Sequence, residues 1–405
     1  MSSKPGQNSR VVSGMRPTGP LHLGNYHGAL ANWVELQYNY ECFFFVADWH
    51  ALTTGYEDTV DLKANTNEVL IDWLAAGLNP SACTIFVQSR IPEHAELHLI
   101  LSMITPISWL ERVPTYKDQI EQLKDKDLST YGFLGYPLLQ SADILMYRPE
   151  YVPVGEDQVA HVEITREIAR RFNHIYGREP DFEAKVEAAM KRLGTRNATK
   201  YAELRRKFQE GGDAGALVQA RALIASGAQL TVADRERLLG NLEGGGRAIL
   251  AEPSALLTKT PKVPGLDGRK MSKSYGNTIG LREDPDSVQK KLKAMKTDPA
   301  RARRSDPGDP DKCPVWDLHK IYSDEKTQAW VQAGCRSAGI GCLDCKKPVI
   351  ESVLKQLEVI RQRAREYEEN PELVRGIVAD GCERAREAAR ATMTDVREAV
   401  RLEYR

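Results

Sequence analysis

The segment Glu41–Trp49 (E-C-F-F-F-V-A-D-W) restricts the fold more than any other part of the sequence. It is a continuous apolar run that ends in polar residues, a pattern typical of a strand buried on both faces of a parallel sheet. A similar run, Thr84–Gln88, follows a helical pattern over Thr66–Ala76, and Arg10–Ser13 is an earlier short strand. This alternation predicts an α/β fold with a doubly wound, Rossmann-type parallel sheet.

The remainder of the chain is predicted to be mainly helical. Glu93–Tyr147 has a mostly helical pattern, and a strand at Val152–Gly155 leads into a helix over Val159–Phe172. Residues 181–250 are rich in Ala, Arg, Glu and Gly, so we interpret them as a helical insertion. Beyond Arg282, long amphipathic patterns predict an α-helical C-terminal domain. We expect an α/β catalytic domain of residues 1–180 and 251–284, an insertion of residues 181–250, and a helical domain of residues 285–405.

The composition sets wide limits. A chain of 405 residues with 41% hydrophobic content can form two or three domains with ordinary cores. The formal net charge is zero, which neither supports nor excludes a nucleic-acid partner. The sequence has no run of about 18 apolar residues, and Met1–Arg10 is polar, so neither a membrane span nor a secretory signal is predicted. We expect a cytoplasmic protein without a membrane partner.

The segment Leu21–Asn25 (L-H-L-G-N) follows the first strand and a Gly/Pro loop, and a helix is predicted from about Gly24 through Gln37. The start of a helix presents free N–H groups and the positive end of its dipole to an anion. Gly24 allows close backbone approach to a ligand, and the His22 imidazole can donate to a phosphate oxygen. So short a string is common by chance, and by itself it favours a structural turn.

The segment Lys270–Ser274 (K-M-S-K-S) is a stronger signal. It places two cations and two hydroxyls on a loop bounded by Gly265, Gly268 and Gly276. Such a loop can close over a polyphosphate, and lysine is a compact point charge suited to that task. The two elements in this order in one α/β chain predict a nucleotide site, and a solvated basic loop becomes the weaker interpretation.

The pair H-L-G-N and K-M-S-K-S resembles the signature of class I aminoacyl-tRNA synthetases. The first motif of that family usually ends in a second His, and here Asn25, a neutral donor, stands in its place. Tyr136, Gln140 and Asp143 have the spacing of one helix face. An ionised Asp only accepts hydrogen bonds, so it selects a ring that carries a donor, either a phenol or an indole. A site built on such a bond rejects analogues without the donor by about 10⁴-fold or more, which leaves tyrosine and tryptophan both open.

Four of the seven cysteines form a group near the C-terminal part: Cys313, Cys335, Cys342 and Cys345, separated by 21, 6 and 2 residues. The final C-L-D-C pair is a strong chelating unit. Four thiolates fit either tetrahedral Zn²⁺ or a [4Fe–4S] cluster, and the spacing alone leaves both open. A disulfide framework is not expected in a cytoplasmic chain with an odd cysteine count, so Cys42, Cys83 and Cys382 are interpreted as packing residues.

Outside residues 181–250 the whole chain resembles the tryptophanyl-tRNA synthetases. The matching stretches are Ser13–Gly28, Phe45–Thr54, Leu110–Lys117, Tyr136–Tyr147, Val152–Asn173 and Gly265–Asn277. The chain is most similar to a bacterial branch with four cysteines in the C-terminal domain. That resemblance implies a [4Fe–4S] cluster rather than zinc, and it implies a structural role for the cluster in the helical domain that meets the tRNA anticodon.

The resemblance also implies residue roles. The catalytic residues would be Lys270, Lys273 and His22. The ATP site would comprise Arg16, Pro17, Thr18, Gly24, Asn25, Gly155, Glu156, Asp157, Val263, Lys270, Met271, Ser272, Lys273 and Ser274. The tryptophan site would comprise Asp143, which would accept the indole N–H, with Tyr136, Gln140 and Gln158. Gln140 and Arg16 depart from the better-known pattern, which often has Met and Gln at these two places.

The implied reaction is ATP-dependent attachment of L-tryptophan to tRNA(Trp) through a tryptophanyl-adenylate, with Mg²⁺ and with release of AMP and pyrophosphate. The family also implies a homodimer with an interface around residues 93–147, and no DNA partner. A tyrosyl-tRNA synthetase is the nearest alternative. A nucleotidylyltransferase is disfavoured by the long helical C-terminal domain, and a non-catalytic RNA-binding or iron-sensing relative by the intact K-M-S-K-S loop.

Overall fold

The structure is a computed structural model that describes residues 9–114, 116, 128–177, 180–211, 213–243, 245–257 and 262–403. Met1–Asn8, a central part of the predicted helical region 93–147 and single residues of the predicted insertion lie outside the described residues. The side chain of Asp157 lies outside them as well.

The described residues contain five strands: β1 Arg10–Met15, β2 Glu41–Val46, β3 Cys83–Val87, β4 Tyr151–Val154 and β5 Ser254–Leu257. They form one sheet in the order β3-β2-β1-β4-β5. β2 pairs in parallel with β3, from Cys42 opposite Cys83 to Val46 opposite Val87. β1 pairs in parallel with β4, with Val11 opposite Tyr151. The predicted parallel α/β fold is confirmed.

Two strand predictions need correction. The strand predicted over Glu41–Trp49 ends at Val46, because Ala47 leaves the extended conformation and Asp48 begins a helix. The Asp48 carboxylate accepts the backbone N–H groups of Trp49 and Ser89 at 3.1 and 3.0 Å, which fixes the helix start. β5 was not predicted, because its four residues are exposed or half-buried and so carry no buried apolar run.

The helices run in chain order as follows: α1 Leu23–Asn25, α2 Ala31–Leu36, α3 Asp48–Gly55, α4 Leu62–Ala76, α5 Glu93–Ser102, α6 Ile107–Glu111, α7 Tyr131–Leu134, α8 Tyr136–Leu145, α9 Val159–Tyr176, α10 Phe182–Leu193, α11 Thr195–Gly211, α12 Ala214–Ala225, α13 Val232–Leu242, α14 Pro285–Ala294, α15 Pro314–Tyr322, α16 Glu325–Arg336, α17 Cys342–Glu369 and α18 Pro371–Val400. A π-helical turn, Tyr26–Leu30, joins α1 to α2 inside the helix predicted from Gly24. No helix in the described ranges is both long and apolar enough to span a bilayer.

The chain divides into two compact units. The first unit comprises Gly14–Arg90 and Leu257–Glu383, and the second comprises Ser9–Ser13, Ile91–Leu256 and the residues from Arg384 onward. The predicted domain boundaries do not coincide with this division, and they stay a prediction.

The first unit has an aromatic core beneath its part of the sheet. Trp33 stacks on Phe44 with ring centroids 4.6 Å apart, and the edge of Trp73 meets Trp33 at 5.2 Å. The helix α4, which carries Trp73, packs along α17. A Cβ at Gly381 would lie 1.8 Å from the carbonyl oxygen of Ile85, so a glycine is required where α18 meets β3.

In the second unit, α8 packs against α5 and α9. The Ser141 and Thr165 hydroxyls join α8 to α9 at 2.9 Å. Helices α10–α13 lie in the predicted insertion and have a hydrophobic core of their own. Within that core, the hydroxyl of the buried Tyr201 donates to the carbonyl of Leu238 at 2.7 Å. The described residues of this segment therefore form helices around one core, and the assignment of residues 181–250 as an insertion stays a prediction.

Candidate active site

The H-L-G-N element is bound to the chain that follows the K-M-S-K-S loop. The Leu23 N–H donates to the carbonyl of Ile279 at 3.0 Å, and the Leu281 N–H donates to the carbonyl of Leu21 at 2.9 Å. His22 and Gly280 thereby form an antiparallel bridge. The two sequence elements, which are almost 250 residues apart in the chain, share one short piece of β structure.

His22 is buried at the start of α1, and its Nδ1 has no hydrogen-bond partner among the described residues. Burial, with a smaller contribution from the Lys273 charge, lowers the pKa of His22 to about 4. The imidazole is therefore neutral at physiological pH and acts as a hydrogen-bonding group. Asn25 accepts the His22 backbone N–H at 3.1 Å. A Cβ at Gly24 would lie 2.9 Å from the His22 ring, which explains the glycine.

The K-M-S-K-S loop is held in shape by the side chain of Asn277. Its Oδ1 accepts the Ser272 N–H at 2.8 Å, and its Nδ2 donates to Asp267 at 2.7 Å. This bond from Asn277, with support from Arg269, lowers the pKa of Asp267 to about 2. A Cβ at Gly265 would lie 2.1 Å from Asn277 Nδ2, so the glycine leaves room for this amide. Met271 N–H donates to the carbonyl of Val263 at 3.3 Å and closes the loop.

Lys273 joins the loop to the first predicted ATP segment. Its ammonium donates to the Thr18 carbonyl at 3.0 Å, with the Thr18 hydroxyl at 3.5 Å. Partial burial lowers the pKa of Lys273 to about 8, although Asp72 favours the charged form. Pro17 is buried, while Arg16 and Lys270 present exposed side chains. Ser272 and Ser274 are joined through their hydroxyls at 2.8 Å.

The first unit therefore brings together one set of predicted ATP-site residues: Arg16, Pro17, Thr18, His22, Gly24, Asn25, Val263, Lys270, Met271, Ser272, Lys273 and Ser274. Lys270 and Lys273 give this site positive charge. The Lys270 side chain is exposed, whereas the half-buried Lys273 is bonded to Thr18. Neutral donors at His22 and Asn25 complete a surface suited to phosphate oxygens.

A buried ion pair supports both elements. The Asp72 carboxylate accepts the Leu21 N–H at 2.6 Å and the Arg282 Nε–H at 2.6 Å. The same guanidinium also donates to Glu68 and to Glu368 of α17. Burial raises the pKa of Asp72, and Arg282 opposes that rise. The sequence analysis missed this pair, because the partners are 210 residues apart and no local pattern connects them.

The second unit holds the residues predicted to select the amino acid. Asp143 is fully buried on α8, and Tyr136 is buried about two helical turns before it. Gln140 lies half-buried between them. The Tyr136 ring lies 5.8 Å from His161, centroid to centroid. Gly155 follows β4, and the turn Glu156–Gln158 closes with the Gln158 N–H on the Gly155 carbonyl at 3.0 Å.

Two residues that the sequence analysis missed flank Asp143. His94 Nδ1 lies 2.6 Å from Asp143 Oδ1, and His94 Nε2 lies 2.6 Å from the Tyr147 hydroxyl. All three side chains are buried. His94 stands 49 positions before Asp143, so helical periodicity could not pair them.

The four clustered cysteines lie at helix ends in the first unit. Cys313 precedes α15, Cys335 is near the end of α16, and Cys342 and Cys345 are in the first turn of α17. Burial, together with the neighbouring thiols of Cys313, Cys335 and Cys342, raises the pKa of Cys345 to about 12. In the described part of the chain, no three His, Cys, Asp or Glu side chains are grouped as ligands of one metal ion.

Cationic side chains near these cysteines are largely buried. Arg301 Nη1 lies 3.9 Å from Cys335 Sγ, and its Nη2 donates to the Ile340 carbonyl at 2.5 Å. Lys346 donates to the carbonyls of Lys293 and Met295 at 2.7 and 2.5 Å, at the end of α14. Arg301 and Lys346 therefore bond to backbone carbonyls beside the thiols and support the local fold.

The fold and the paired elements agree with the comparisons with known proteins. The sequence model of the family described as tRNA synthetases class I (W and Y) matches residues 4–195 and 224–358. The chain therefore belongs to the class I tRNA synthetase family for tryptophan and tyrosine. A tryptophan–tRNA ligase of Ralstonia nicotianae is 63% identical over 98% of this chain and 99% of the relative. A tryptophan–tRNA ligase of Thermotoga maritima is 43% identical over 98% of this chain and 100% of the relative.

A solved structure gives the same result. The crystal structure of a tryptophanyl-tRNA synthetase from Campylobacter jejuni, complexed with ADP and tryptophan, matches with a TM-score of 0.72 and 28% identity. The match covers 96% of this chain and 99% of that one. A tyrosyl-tRNA synthetase from Archaeoglobus fulgidus shares the fold at a TM-score of 0.56 and 19% identity. Within the family, the relatives of high identity are thus tryptophan–tRNA ligases.

Proposed function

We propose that this protein attaches L-tryptophan to tRNA(Trp) with ATP, through a tryptophanyl-adenylate. The observation that carries the proposal is the union of H-L-G-N and K-M-S-K-S through the His22–Gly280 bridge and the Lys273–Thr18 contact. The identity to tryptophan–tRNA ligases over almost the whole chain favours tryptophan over tyrosine. An intact loop within a class I synthetase fold argues against the nucleotidylyltransferase and non-catalytic alternatives.

In the first step, an oxygen of the tryptophan carboxylate bonds to the α-phosphorus of ATP, and the bond from that phosphorus to the bridging oxygen of pyrophosphate breaks. The nucleophile is already ionised at neutral pH, so no general base is needed. Positioning and charge stabilisation remain as the main contributions. ATP enters as its Mg²⁺ complex, and Lys270 and Lys273 follow the negative charge onto the departing pyrophosphate. His22 and Asn25 donate to phosphate oxygens.

In the second step, a terminal ribose hydroxyl of the tRNA attacks the carbonyl carbon of the adenylate, and AMP leaves. Gly155, Glu156 and Asp157 bind the ribose of ATP, and Val263 contacts adenine through its backbone. Asp143 accepts the indole N–H, and Tyr136, Gln140 and Gln158 contact the rest of the amino acid. The full burial of Asp143 supports this role, since a buried carboxylate discriminates strongly between a donor and no donor.

Tryptophan-dependent exchange of pyrophosphate into ATP tests the first step. Lys273→Ala should lower kcat by about 100- to 1000-fold, with little change in tryptophan affinity, because its charge acts on the transition state. Lys290→Ala, which removes an exposed lysine from α14, is the matched control and should exchange normally. Exchange that is undiminished in Lys273→Ala, or that proceeds with tyrosine in place of tryptophan, would contradict the proposal.

We also propose that Cys313, Cys335, Cys342 and Cys345 hold a [4Fe–4S] cluster, with Zn²⁺ as the alternative occupant. Support for the proposal comes from the placement of the four cysteines at helix ends of one unit and from a guanidinium beside Cys335 that would offset thiolate charge. Among the described residues, no three His, Cys, Asp or Glu side chains are grouped closely enough to hold one metal ion, so the placement alone does not define a preformed site. A bound cluster would supply covalent links between the starts of α15 and α17 and the end of α16. Its role would be structural, in the helical domain that meets the tRNA anticodon.

Analysis of the pure protein for iron, acid-labile sulfide and zinc tests this assignment. About four irons and four sulfides per chain, with broad visible absorbance, are expected for a [4Fe–4S] cluster. Cys345→Ser should lose the metal and lower the Tm. Cys382→Ser, at a buried cysteine outside the group, should keep it. Stoichiometric zinc without sulfide would establish the alternative occupant.

We further propose a homodimer with its interface in residues 93–147. Large apolar side chains are exposed there, with Leu99, Met103, Ile107 and Tyr131 between 57% and 72% exposed. Exposed apolar groups of this kind are typical of interaction sites. Met103→Glu should shift sedimentation towards the monomer, whereas Val60→Glu, also at an exposed apolar residue, should not.

The domain plan and the cellular location are part of the same proposal. The α/β catalytic domain comprises residues 1–180 and 251–284, residues 181–250 form an insertion, and residues 285–405 form the anticodon-binding domain. The independent core of α10–α13 supports the insertion as a separate element. Membership of this synthetase family supports the proposed cytoplasmic location.

A further inference from the structure

Three buried side chains in the second unit form a continuous hydrogen-bonded series: Tyr147, His94 and Asp143. The Tyr147 hydroxyl is 2.6 Å from His94 Nε2, and His94 Nδ1 is 2.6 Å from Asp143 Oδ1. None of the three side chains is exposed by more than 1%. The series ends on the carboxylate that the proposed function assigns to the indole N–H.

The donor to Asp143 follows from the chemistry of its side chain. An ionised carboxylate has no proton to give, so His94 Nδ1 carries a proton and donates to Asp143. The Tyr147 hydroxyl contacts the other ring nitrogen, Nε2. Contacts at both nitrogens hold the ring so that it presents the Nδ1–H to one oxygen of Asp143.

The helix that carries His94 is joined to α18 independently of Asp143. The flanking residue Glu93 accepts from Arg386 of α18 at 3.0 Å. One turn later, Glu96 accepts from Arg397 of the same helix at 2.7 Å. Asp143 lies on a different helix, α8, so the position of the His94 ring does not depend on that of the carboxylate. The His94 N–H therefore favours one orientation of the Asp143 carboxylate.

We propose that His94 is a specificity-determining positioning residue, which orients Asp143 so that the carboxylate meets the substrate ring N–H. The inference rests on the proposed role of Asp143. Its consequence is that His94 affects recognition of the ring donor more than it affects the chemistry. The bond from His94 leaves Asp143 as an acceptor, because in that bond His94 donates and the carboxylate accepts.

The experiment measures pyrophosphate exchange with tryptophan and with 3-(3-benzothienyl)alanine, an isostere in which sulfur replaces the ring N–H. His94→Leu should lower kcat/KM for tryptophan by about 10- to 100-fold, the usual effect of losing a hydrogen bond to a charged group, mainly through KM. The isostere has no donor to lose, so its kcat/KM should change little. The preference for tryptophan should then fall by the same factor.

Three variants distinguish positioning from structural support. His94→Asn retains an N–H near the Nδ1 position and should recover part of the preference. Tyr147→Phe removes only the hydroxyl that contacts His94 Nε2, and it should lower the preference less than His94→Leu does. His98→Leu, which removes an imidazole one turn further along α5, should leave the preference unchanged.

An equal loss of kcat/KM for both substrates in His94→Leu would overturn the inference, because it would indicate support of the fold alone. If His94→Leu does not fold, an unchanged preference in Tyr147→Phe and His94→Asn would overturn it. Failure of the proposed function has a different signature. In that case Asp143→Ala, which removes the acceptor altogether, would exchange tryptophan with the wild-type preference over the isostere.

Discussion

Substitution of Arg282 gives a direct test of how ion pairs contribute to stability, because its guanidinium is paired with three carboxylates and one of them is buried. Its guanidinium contacts Asp72, Glu68 and Glu368, and the Asp72 side chain is only 1% exposed. Arg282→Met keeps much of the aliphatic volume and removes the charge. Asp72 then remains buried next to the Leu21 N–H without a cation.

The size of the effect follows from the geometry. Opposite charges about 4 Å apart interact by roughly 4 kcal/mol at an effective dielectric constant of about 20. Removal of one partner from a buried pair costs about 3–5 kcal/mol, because the other charge stays uncompensated. For a unit of this size we expect Arg282→Met to lower the Tm by roughly 6–20 °C. Asp72→Asn keeps an acceptor for Leu21 and should cost less.

The pH dependence has a definite sign. The folded-state pKa of Asp72 is raised by burial, so its carboxyl contributes stability at acidic pH that is lost as the pH rises through that pKa. Without Arg282 the pKa rises further. The deficit of Arg282→Met should therefore be largest near neutral pH and should shrink in acid.

Differential scanning calorimetry of both single variants and of the double variant gives the coupling. The loss of Tm in the double variant should be well below the sum of the two single losses. Arg375→Met, which removes an exposed partner of Glu372, should leave the Tm unchanged. Additive losses, or an unaltered Tm in Arg282→Met, would refute the assignment of this pair as a coupled support.

Three further predictions concern the K-M-S-K-S loop. Because the pKa of Lys273 is about 8, kcat/KM for ATP should fall above about pH 8. The value of kcat should fall less, because bound phosphates keep Lys273 protonated. A kcat/KM profile that stays flat to about 1.5 pH units above that pKa would contradict the prediction. Asn277→Ala removes the acceptor for Ser272 and the donor to Asp267, so KM for ATP should rise about tenfold with KM for tryptophan unchanged in steady-state exchange. Gly265→Ala places a Cβ against Asn277 and should reproduce that phenotype, and a normal KM for ATP would show that the amide can move aside at no cost.

The parts of the fold that were predictable are those encoded by local patterns. The apolar runs that became β2 and β3 are buried on both faces, so each stands out in the sequence without knowledge of its neighbours. β5 has half-exposed residues and no such signal. The end of β2 was missed because Ala47 and Trp49 are apolar and extend the pattern past Val46, while the backbone turns at Ala47.

The candidate site was predictable to the extent that its residues are contiguous. H-L-G-N and K-M-S-K-S are local strings, and Tyr136, Gln140 and Asp143 repeat at helical spacing. The partners that fix these groups come from distant positions and carry ordinary composition. His94 and Arg282 are such residues, since only the folded chain places them beside Asp143 and Asp72.

The Lys273 contact with Thr18 has a consequence for the proposed reaction. The ammonium donates to the Thr18 carbonyl at 3.0 Å, so its partner in the protein is a neutral oxygen. A bond from the same cation to an anionic oxygen is stronger. Under the proposed function, a phosphate group of ATP would therefore compete with Thr18 for Lys273. Thr18 would then act as an internal competitor for the cation and would be its partner again once pyrophosphate has left.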